Sequence, residues 1–414
     1  MRCKKCLAEL YGKETCPNCG MLVGESVDKV FIDGVKVRNL FGVFNYNIDF
    51  RNEARVSILI TPNGCGKTTI FNLINFVLNP NPSTCSKIIN VPFDTFECIL
   101  SNGVSITLKK GEVERYTKLS RGHMIHFYYI IDNNGYIEKF EVPVLTYLHD
   151  GKFIVAVDTP ASKKKLNAMV YPIFKNLVDY YDGVLEKKFK RIVDAIAFFV
   201  PNINYSRADR GAFDVEKEDE YNKLGVNHVH ITNYDEVTGS MQVFNSTGMN
   251  GINMTKRFMM SLKQDRDTIE HHLHKLPSSN FKISNISNSL KVKMNTFKEI
   301  YDKRNVWTKK TIDFDVPHGF DIKQNGRSID LDYLSSGEKN DFVLLFDLMF
   351  RSAEFGVTII DEPEISLHIE WQESLLEHIL TCCALNNTQV IISTHSPSII
   401  SGKVELLADM EIIG

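Results

Sequence analysis

A strand-like run and a glycine-rich loop follow each other over residues 56–69, which read Val-Ser-Ile-Leu-Ile-Thr-Pro-Asn-Gly-Cys-Gly-Lys-Thr-Thr. The first five residues are mostly aliphatic, which favours a short buried strand. Residues 69–78 then carry apolar side chains at helical spacing and stop before Asn79 and Pro80, where a helix is expected to end. Strand, glycine-rich loop and helix in this order form the context of a phosphate-binding loop.

The loop at residues 61–69 carries the groups that hold a nucleoside triphosphate in this context. We expect Lys67 to bridge the β- and γ-phosphates and Thr68 to ligate Mg²⁺, while backbone amides and the helix N-terminus surround the phosphates. Thr61 stands where the usual pattern has its first glycine, so a glycine-rich turn with a solvated lysine is the alternative. The predicted nucleotide-binding residues of the loop are Asn63, Gly64, Cys65, Gly66, Lys67, Thr68 and Thr69.

Two acidic residues, Asp361 and Glu362, directly follow a second apolar run at residues 357–360. Ligands of α/β sheets bind at the carboxyl ends of strands, so the pair lies where a nucleotide site is expected. We expect Asp361 to hold Mg²⁺ and Glu362 to orient and deprotonate the attacking water. A strand-ending acidic cap is the alternative, which the phosphate-binding loop in the same chain disfavours.

A serine-containing loop and a histidine complete the set of candidate site residues. The loop precedes a predicted helix at residues 337–351, where its amides and the helix dipole could bind an anion, and an ordinary serine N-cap is the alternative. Its predicted nucleotide-binding residues are Ser335, Ser336, Gly337 and Glu338. His395 follows another apolar strand and could hydrogen-bond a γ-phosphate or the attacking water, although a histidine there is more often structural.

Four cysteines lie in the first nineteen residues as two Cys-x2-Cys pairs. Thiolates at this spacing can hold Zn²⁺ in a tetrahedral site, and four protein ligands leave no open position for catalysis. A reduced tail with an accidental cysteine cluster is the alternative. The predicted zinc ligands are Cys3, Cys6, Cys16 and Cys19.

Composition limits the class of protein. The chain has 414 residues, of which 43% are hydrophobic and 24% charged, so a mostly disordered or fibrous chain is excluded. A net charge of −3 excludes a globally basic nucleic-acid coat but is compatible with a local basic patch. The sequence has no run of about 18 apolar residues and no secretion signal, so we expect a cytoplasmic protein.

Taken together, the motifs resemble those of an ABC-type ATPase head. That family has a phosphate loop, a signature loop, an Asp-Glu pair and a switch histidine, in the order in which residues 61–69, 334–339, 361–362 and 395 stand here. Residues 361–368, Asp-Glu-Pro-Glu-Ile-Ser-Leu-His, are similar to the soluble OLD-like (overcoming lysogenization defect) ATPases. Many of these belong to bacterial antiphage systems such as Septu, PARIS and retron systems, where the ATPase is usually paired with a separate nuclease or toxic effector.

The resemblance implies an α/β fold, with a P-loop ATPase head of mixed sheet and helices. The expected segments are a zinc ribbon at 1–24, an N-lobe with the phosphate loop at 25–156, a mostly helical insertion at 157–310 and a C-lobe at 311–414. By the same resemblance, Arg38 and residues 41–46 lie where the family approaches the adenine, and an edge-strand hairpin that packs its aromatic rings into the core is the alternative. No glutamine stands between residues 70 and 150, so the family's usual Gln loop has no counterpart there.

The resemblance also implies cofactors and partners. The resemblance implies ATP and Mg²⁺, and the two cysteine pairs add Zn²⁺ to the expected cofactors. In this family the signature loop of one subunit contacts the nucleotide of the other, so we expect a homodimer or a higher homo-oligomer through the ATP sites. A separate effector protein is the expected partner, nucleic acid is a further candidate, and no membrane is involved. A DNA-repair ATPase of the RecF-like or SMC-like kind and a nucleotide-locked scaffold that barely hydrolyses ATP are the alternatives.

Overall fold

The computed structural model describes residues 30–62, 64–117, 121–155, 185, 187–196, 203–207, 286–315, 319–329, 333–351, 356–365 and 367–412. The four predicted zinc ligands, Asn63 and most of the predicted insertion lie outside these residues. The chain divides into two compact units. The first takes in residues up to Ile203 with Phe355–Val357 and Leu407–Gly414, and the second takes in Asn204–Glu354 and Thr358–Leu406.

An eight-stranded antiparallel sheet forms the frame of the first unit. Its strands are β1 Ile32–Leu40, β2 Phe44–Asp49, β4 Thr95–Leu100, β5 Val104–Tyr116, β6 Gly122–Asn133, β7 Tyr136–His149, β8 Lys152–Val155 and β15 Asp409–Ile412, while β3 Val56–Ile60 lies outside it. The strand order is β15-β2-β1-β4-β5-β6-β7-β8. Asn134 and Gly135 join β6 to β7 with φ angles of 51° and 92°, the left-handed turn that an Asn-Gly pair predicts.

The end of the chain completes this sheet. β15 pairs antiparallel with β2, and Met410 lies opposite Ile48. Just before it, the backbone N–H of Ala408 donates to the carbonyl oxygen of Ile58 at 2.9 Å. Residues of the predicted C-lobe therefore supply a strand to the first unit.

Two helices, α1 (Lys67–Leu78) and α2 (Pro82–Ile88), belong to the first unit, and α1 lies at the predicted position of the helix after the phosphate loop. α1 packs on the sheet through aromatic rings, because Phe76 contacts the ring of Phe127 at a centroid distance of 5.5 Å. The hydroxyl of Tyr129 also donates to the backbone oxygen of Phe76 at 3.2 Å. These contacts fix the helix whose first turn begins at the phosphate loop.

The second unit combines helices with short strands. Its helices are α3 Ile286–Arg304, α4 Ser336–Phe346, α5 Ile369–Asn386 and α6 Pro397–Ile400, and its strands are β9 Ile203–Arg207, β10 Lys310–Asp315, β11 Gly319–Gln324, β12 Arg327–Ile329, β13 Val357–Asp361 and β14 Gln389–Thr394. β10, β11 and β12 form an antiparallel sheet, and β13 lies between β14 and β9. Every residue of β13 and β14 is buried, which explains their apolar runs.

A π-helical turn, Asp347–Arg351, continues α4 to the end of the predicted helix. The side chain of Asn386 on α5 donates to the carbonyl oxygens of Leu348 at 2.6 Å and Met349 at 3.2 Å. Because a wide turn interrupts the regular helical hydrogen bonds, a buried amide at this place satisfies carbonyl groups that would otherwise lack donors.

Aromatic rings fill the core of the second unit. Phe297 on α3 contacts rings from β10, α4 and the π-helical turn, at centroid distances of 5.5–6.0 Å, namely Phe314, Phe342, Phe346 and Phe350. This cluster fixes α4, the helix that starts at the predicted signature loop. Among the described residues, the helices are too short or too polar to cross a bilayer.

Candidate functional site

The phosphate loop has the backbone that its glycines predict. Gly64 and Gly66 have φ angles of 84° and 87°, in the left-handed region that favours glycine. A Cβ on Gly66 would lie 2.9 Å from Leu40 Cδ2 and 3.0 Å from Phe41 Cε2, whereas a Cβ on Gly64 would meet open space. The backbone angle therefore favours glycine at residue 66, and a Cβ there would also displace the side chains of Leu40 and Phe41.

Lys67 directs its ammonium group back into the loop. The side chain is buried, and Nζ donates to the carbonyl oxygen of Thr61 at 2.8 Å. α1 begins at Lys67 with no acidic residue in its first turn and no capping side chain among the described residues. A lysine ammonium and the positive end of a helix thus meet at one loop, and this arrangement fits an anionic phosphate group.

A strained turn lies beside the phosphate loop. Asn39 and Phe41 have φ angles of 56° and 57°, a conformation that is rare for a bulky residue such as phenylalanine. The sequence predicts a strand over residues 41–50, but β2 begins only at Phe44, because residues 41–43 form the turn. The turn brings the ring of Phe41 against Gly66.

The side chain of Tyr46 on β2 is buried and lies near Cys65 of the phosphate loop. Burial is the main reason that the pKa of Tyr46 is raised to about 12, and the neighbouring thiol adds to it. The hydroxyl is therefore neutral at physiological pH.

In the second unit, the ends of β13 and β14 bring three predicted residues together. Asp361 is fully buried, and the hydroxyl of Ser393 donates to its Oδ1. The backbone N–H of Glu362 donates to the carbonyl oxygen of Ser393 at 2.9 Å. Glu362 Oε1 lies 3.5 Å from His395 Nε2, with both side chains partly exposed. A carboxylate and an imidazole thus face solvent side by side.

The backbone of Glu362 is strained. Its φ angle of 52° lies in the left-handed region, which costs a residue with a side chain about 1–3 kcal/mol. Strain of this kind persists where surrounding contacts fix the conformation, here the hydrogen bond to Ser393. It is frequent at functional sites.

The predicted signature loop is a capping box at the start of α4. The Ser335 hydroxyl accepts a hydrogen bond from the backbone N–H of Glu338 at 3.3 Å, and the Ser335 N–H donates to Glu338 Oε2 at 2.7 Å. Lys310 Nζ donates to Glu338 Oε1 at 2.7 Å in a buried ion pair. The carboxylate of Glu338 therefore stabilises the loop, because it accepts hydrogen bonds from the Ser335 N–H and from Lys310. The sequence analysis did not identify Lys310, because it reaches Glu338 only when β10 packs near the start of α4 in the folded chain.

We expect the Lys310–Glu338 pair to make stability depend on pH. Burial raises the pKa of Glu338, but the hydrogen bonds from Lys310 and Ser335 outweigh it and leave the pKa below its ordinary value. The folded state then binds fewer protons than the unfolded state, so the free energy of unfolding falls as pH drops below about 5. Urea unfolding, followed by tryptophan fluorescence at pH 7 and pH 4, measures this fall.

The Glu338→Gln chain should lose less stability between these two pH values than the wild type. Glu405→Gln is the control, because Glu405 is exposed in the turn Val404–Leu406. An equal fall in the wild type and in Glu338→Gln would contradict this assignment.

Among the described residues, no group of three or more His, Cys, Asp and Glu side chains is placed to hold a metal ion. The cysteines of the predicted zinc ribbon are outside those ranges, so zinc binding remains a prediction. Thr68 and Asp361 have the oxygen donors that Mg²⁺ prefers.

These features define a nucleotide-binding class of protein, with a phosphate loop at a helix N-terminus and an acid–histidine pair at strand ends. The family described as AAA ATPase domain matches residues 31–400, and the chain belongs to this family. The matched range includes the predicted phosphate loop, the predicted signature loop, the acid pair and His395. Membership implies that ATP is the ligand.

One curated relative matches a short part of the chain. Over 98 residues the chain is 32% identical to the retron Vc95 probable ATPase of Vibrio cholerae serotype O1 biovar El Tor. The match covers 21% of this chain and 19% of that protein, so it spans about a fifth of the relative's length.

Two solved structures of SMC heads also resemble the chain. One is the SmcHead bound to the C-winged helix domain of ScpA, with 10% identity, a TM-score of 0.43, and coverage of 93% of this chain and 98% of that one. The other is an Smc head with an extended coiled coil bound to the C-terminal domain of ScpA, derived from Pyrococcus furiosus. It has 12% identity, a TM-score of 0.40, and coverage of 93% and 96%.

Proposed function

We propose that the chain is an ABC-type ATPase of the OLD-like group that hydrolyses ATP to switch a partner effector in antiphage defence. The observation that carries the hydrolytic part is the pair of Glu362 and His395, whose Oε1 and Nε2 atoms lie 3.5 Å apart in a strained, hydrogen-bonded turn. A general base and a polar partner for the γ-phosphate are the groups that this reaction needs.

Each residue has a separate role in the proposed reaction. Lys67 and the amides of its loop bind the β- and γ-phosphates. Thr68 and Asp361 would hold Mg²⁺, which neutralises phosphate charge when bound. Glu362 accepts a proton from water as the water oxygen attacks the γ-phosphorus, the bond to the β-phosphate oxygen breaks, and ADP and phosphate leave. His395 donates a hydrogen bond to the γ-phosphate.

The proposal includes an assembly of at least two chains. By the resemblance to ABC-type heads, Ser336 and Gly337 contact the nucleotide that a second copy of the chain holds. The capping box supports this role, because its two hydrogen bonds fix the loop and use the backbone N–H groups of Ser335 and Glu338, not those of Ser336 and Gly337. ATP binding then closes a homodimer or a higher homo-oligomer, and hydrolysis releases it.

The partner part of the proposal is supported by the similarity to a retron ATPase. We propose that the closed, ATP-bound assembly controls a separate nuclease or toxin. A DNA-repair ATPase of the RecF-like or SMC-like kind is the alternative function.

The test is a pull-down from the native host with the Glu362→Gln chain as bait in the presence of ATP and Mg²⁺. We expect a nuclease or toxin-like protein in near-stoichiometric amount, identified by mass spectrometry. The Lys67→Ala chain is the control, since it should not bind nucleotide and should recover much less of the same protein. DNA with repair factors and no effector would favour the alternative, and equal recovery by both baits would contradict control by ATP.

A further inference from the structure

Glu364 is the second glutamate of the Asp-Glu-Pro-Glu stretch, and the roles given above do not use it. Its Oε1 accepts a hydrogen bond from the backbone N–H of His395 at 2.6 Å. The two residues are 31 positions apart in the sequence, so this bond joins two separate loops of the second unit. One loop leaves β13 and the other leaves β14.

The same two loops are joined again on the far side of His395. The hydroxyl of Ser396 donates to Gln372 Oε1 at 2.7 Å. Gln372 in turn donates from Nε2 to the carbonyl oxygen of Leu367 at 3.0 Å. His395 therefore stands between anchored neighbours, and its own backbone N–H is held by a carboxylate.

The geometry of the acid–histidine pair makes this anchoring important. Glu362 Oε1 and His395 Nε2 lie 3.5 Å apart, slightly beyond the usual length of a hydrogen bond. A shift of the His395 loop by less than about 1 Å decides whether the imidazole reaches its partner, and misplacement of a reacting group by that distance can cost about 100-fold in rate.

We propose that Glu364 is a positioning residue that holds the imidazole of His395 beside the carboxylate of Glu362. The inference rests on the proposed hydrolytic function and adds a residue to it. Glu364 acts through the backbone of His395 and has no contact with the nucleotide in this proposal. A purely structural role, in which Glu364 only stabilises the turn, is the competing explanation, and the two make different predictions for the kinetics.

The test compares Glu364→Ala with Glu364→Gln by steady-state ATP hydrolysis on the full chain. We expect Glu364→Ala to lower kcat by about 10- to 100-fold while KM for ATP stays within about twofold of wild type. Glu364→Gln should restore most of kcat, since an amide oxygen still accepts from the His395 N–H. Glu405→Ala is the matched control, because it removes an exposed glutamate of the same unit.

Three results would overturn the inference. They are a wild-type kcat in Glu364→Ala, an equal loss of kcat in Glu364→Gln, and a loss of kcat that comes with a higher KM and a lower unfolding midpoint. A double-mutant cycle adds a second readout, since Glu364→Ala should have little further effect on kcat in a His395→Ala background. Full additivity would show that Glu364 does not act through His395.

The same assay separates this inference from the proposed function. Glu362→Gln is measured beside the Glu364 variants. If the wild-type chain hydrolyses no more ATP than the Lys67→Ala chain, the proposed function fails. If Glu362→Gln is inactive while Glu364→Ala is fully active, only the inference about Glu364 fails.

Discussion

Replacing Glu362 by glutamine is expected to lower kcat for ATP hydrolysis by about 10²–10⁴-fold, the usual contribution of a general base. Glutamine has the same shape as glutamate, but it cannot accept a proton from the attacking water. The hydrogen bond from its backbone N–H to Ser393 is unchanged, so the strained turn should persist. Single-turnover release of phosphate measures the chemical step, and titration with ATP measures binding.

The affinity for ATP should stay close to that of the wild type, because the phosphates are bound by Lys67 and its loop. Glu405→Gln serves as the control for the loss of an exposed carboxylate. Hydrolysis by Glu362→Gln at the wild-type rate would mean that another group accepts the proton. A parallel loss of ATP binding would mean that Glu362 holds the nucleotide in place.

Replacing Arg304 by methionine is expected to destabilise the second unit by about 3–5 kcal/mol, the cost of leaving a buried charge without its partner. Arg304 and Asp341 are both buried, and Nη2 donates to Asp341 Oδ1 at 2.6 Å. Nη1 donates to Ser374 Oγ at 3.1 Å and lies 2.8 Å from His378 Nδ1. One guanidinium therefore connects the end of α3 to α4 and α5.

Burial and the charge of Arg304 together set the pKa values of Asp341 and His378. Burial raises the pKa of Asp341 to about 6, even though the guanidinium acts to lower it. Burial lowers the pKa of His378 to about 4, and the charge of Arg304 adds to this, so the imidazole is neutral and can accept from the guanidinium. Without Arg304, the carboxyl of Asp341 loses its compensating charge.

Urea unfolding followed by tryptophan fluorescence measures the effect, because Trp307 and Trp371 both lie in the second unit. The double variant Arg304→Met with Asp341→Leu should recover most of the loss, since replacing both members of a buried pair by apolar groups is often neutral. Arg51→Met is the control, as its pair with Asp49 is exposed and should contribute little to stability. A loss below about 1 kcal/mol in Arg304→Met would contradict the assignment.

The sequence alone determined the parts of the site that depend on short stretches of chain. The phosphate loop is recognisable because its glycines, its lysine and the start of α1 are neighbours in sequence and fix one another through local backbone geometry. Asp361 and His395 lie at or directly after strand ends, as predicted. The sequence predicts these ends because a strand that is buried on both faces has a run of apolar residues. These predictions do not depend on how distant elements pack against one another.

Which distant groups meet depends on how the separate elements pack in the folded chain. Arg304 and Asp341 are 37 positions apart, Lys310 and Glu338 are 28 apart, and Glu364 and His395 are 31 apart. No local pattern predicts these pairs, because each depends on how two separately formed elements pack. The same reason applies to β15, whose place beside β2 follows from the hydrogen bonds of the folded sheet.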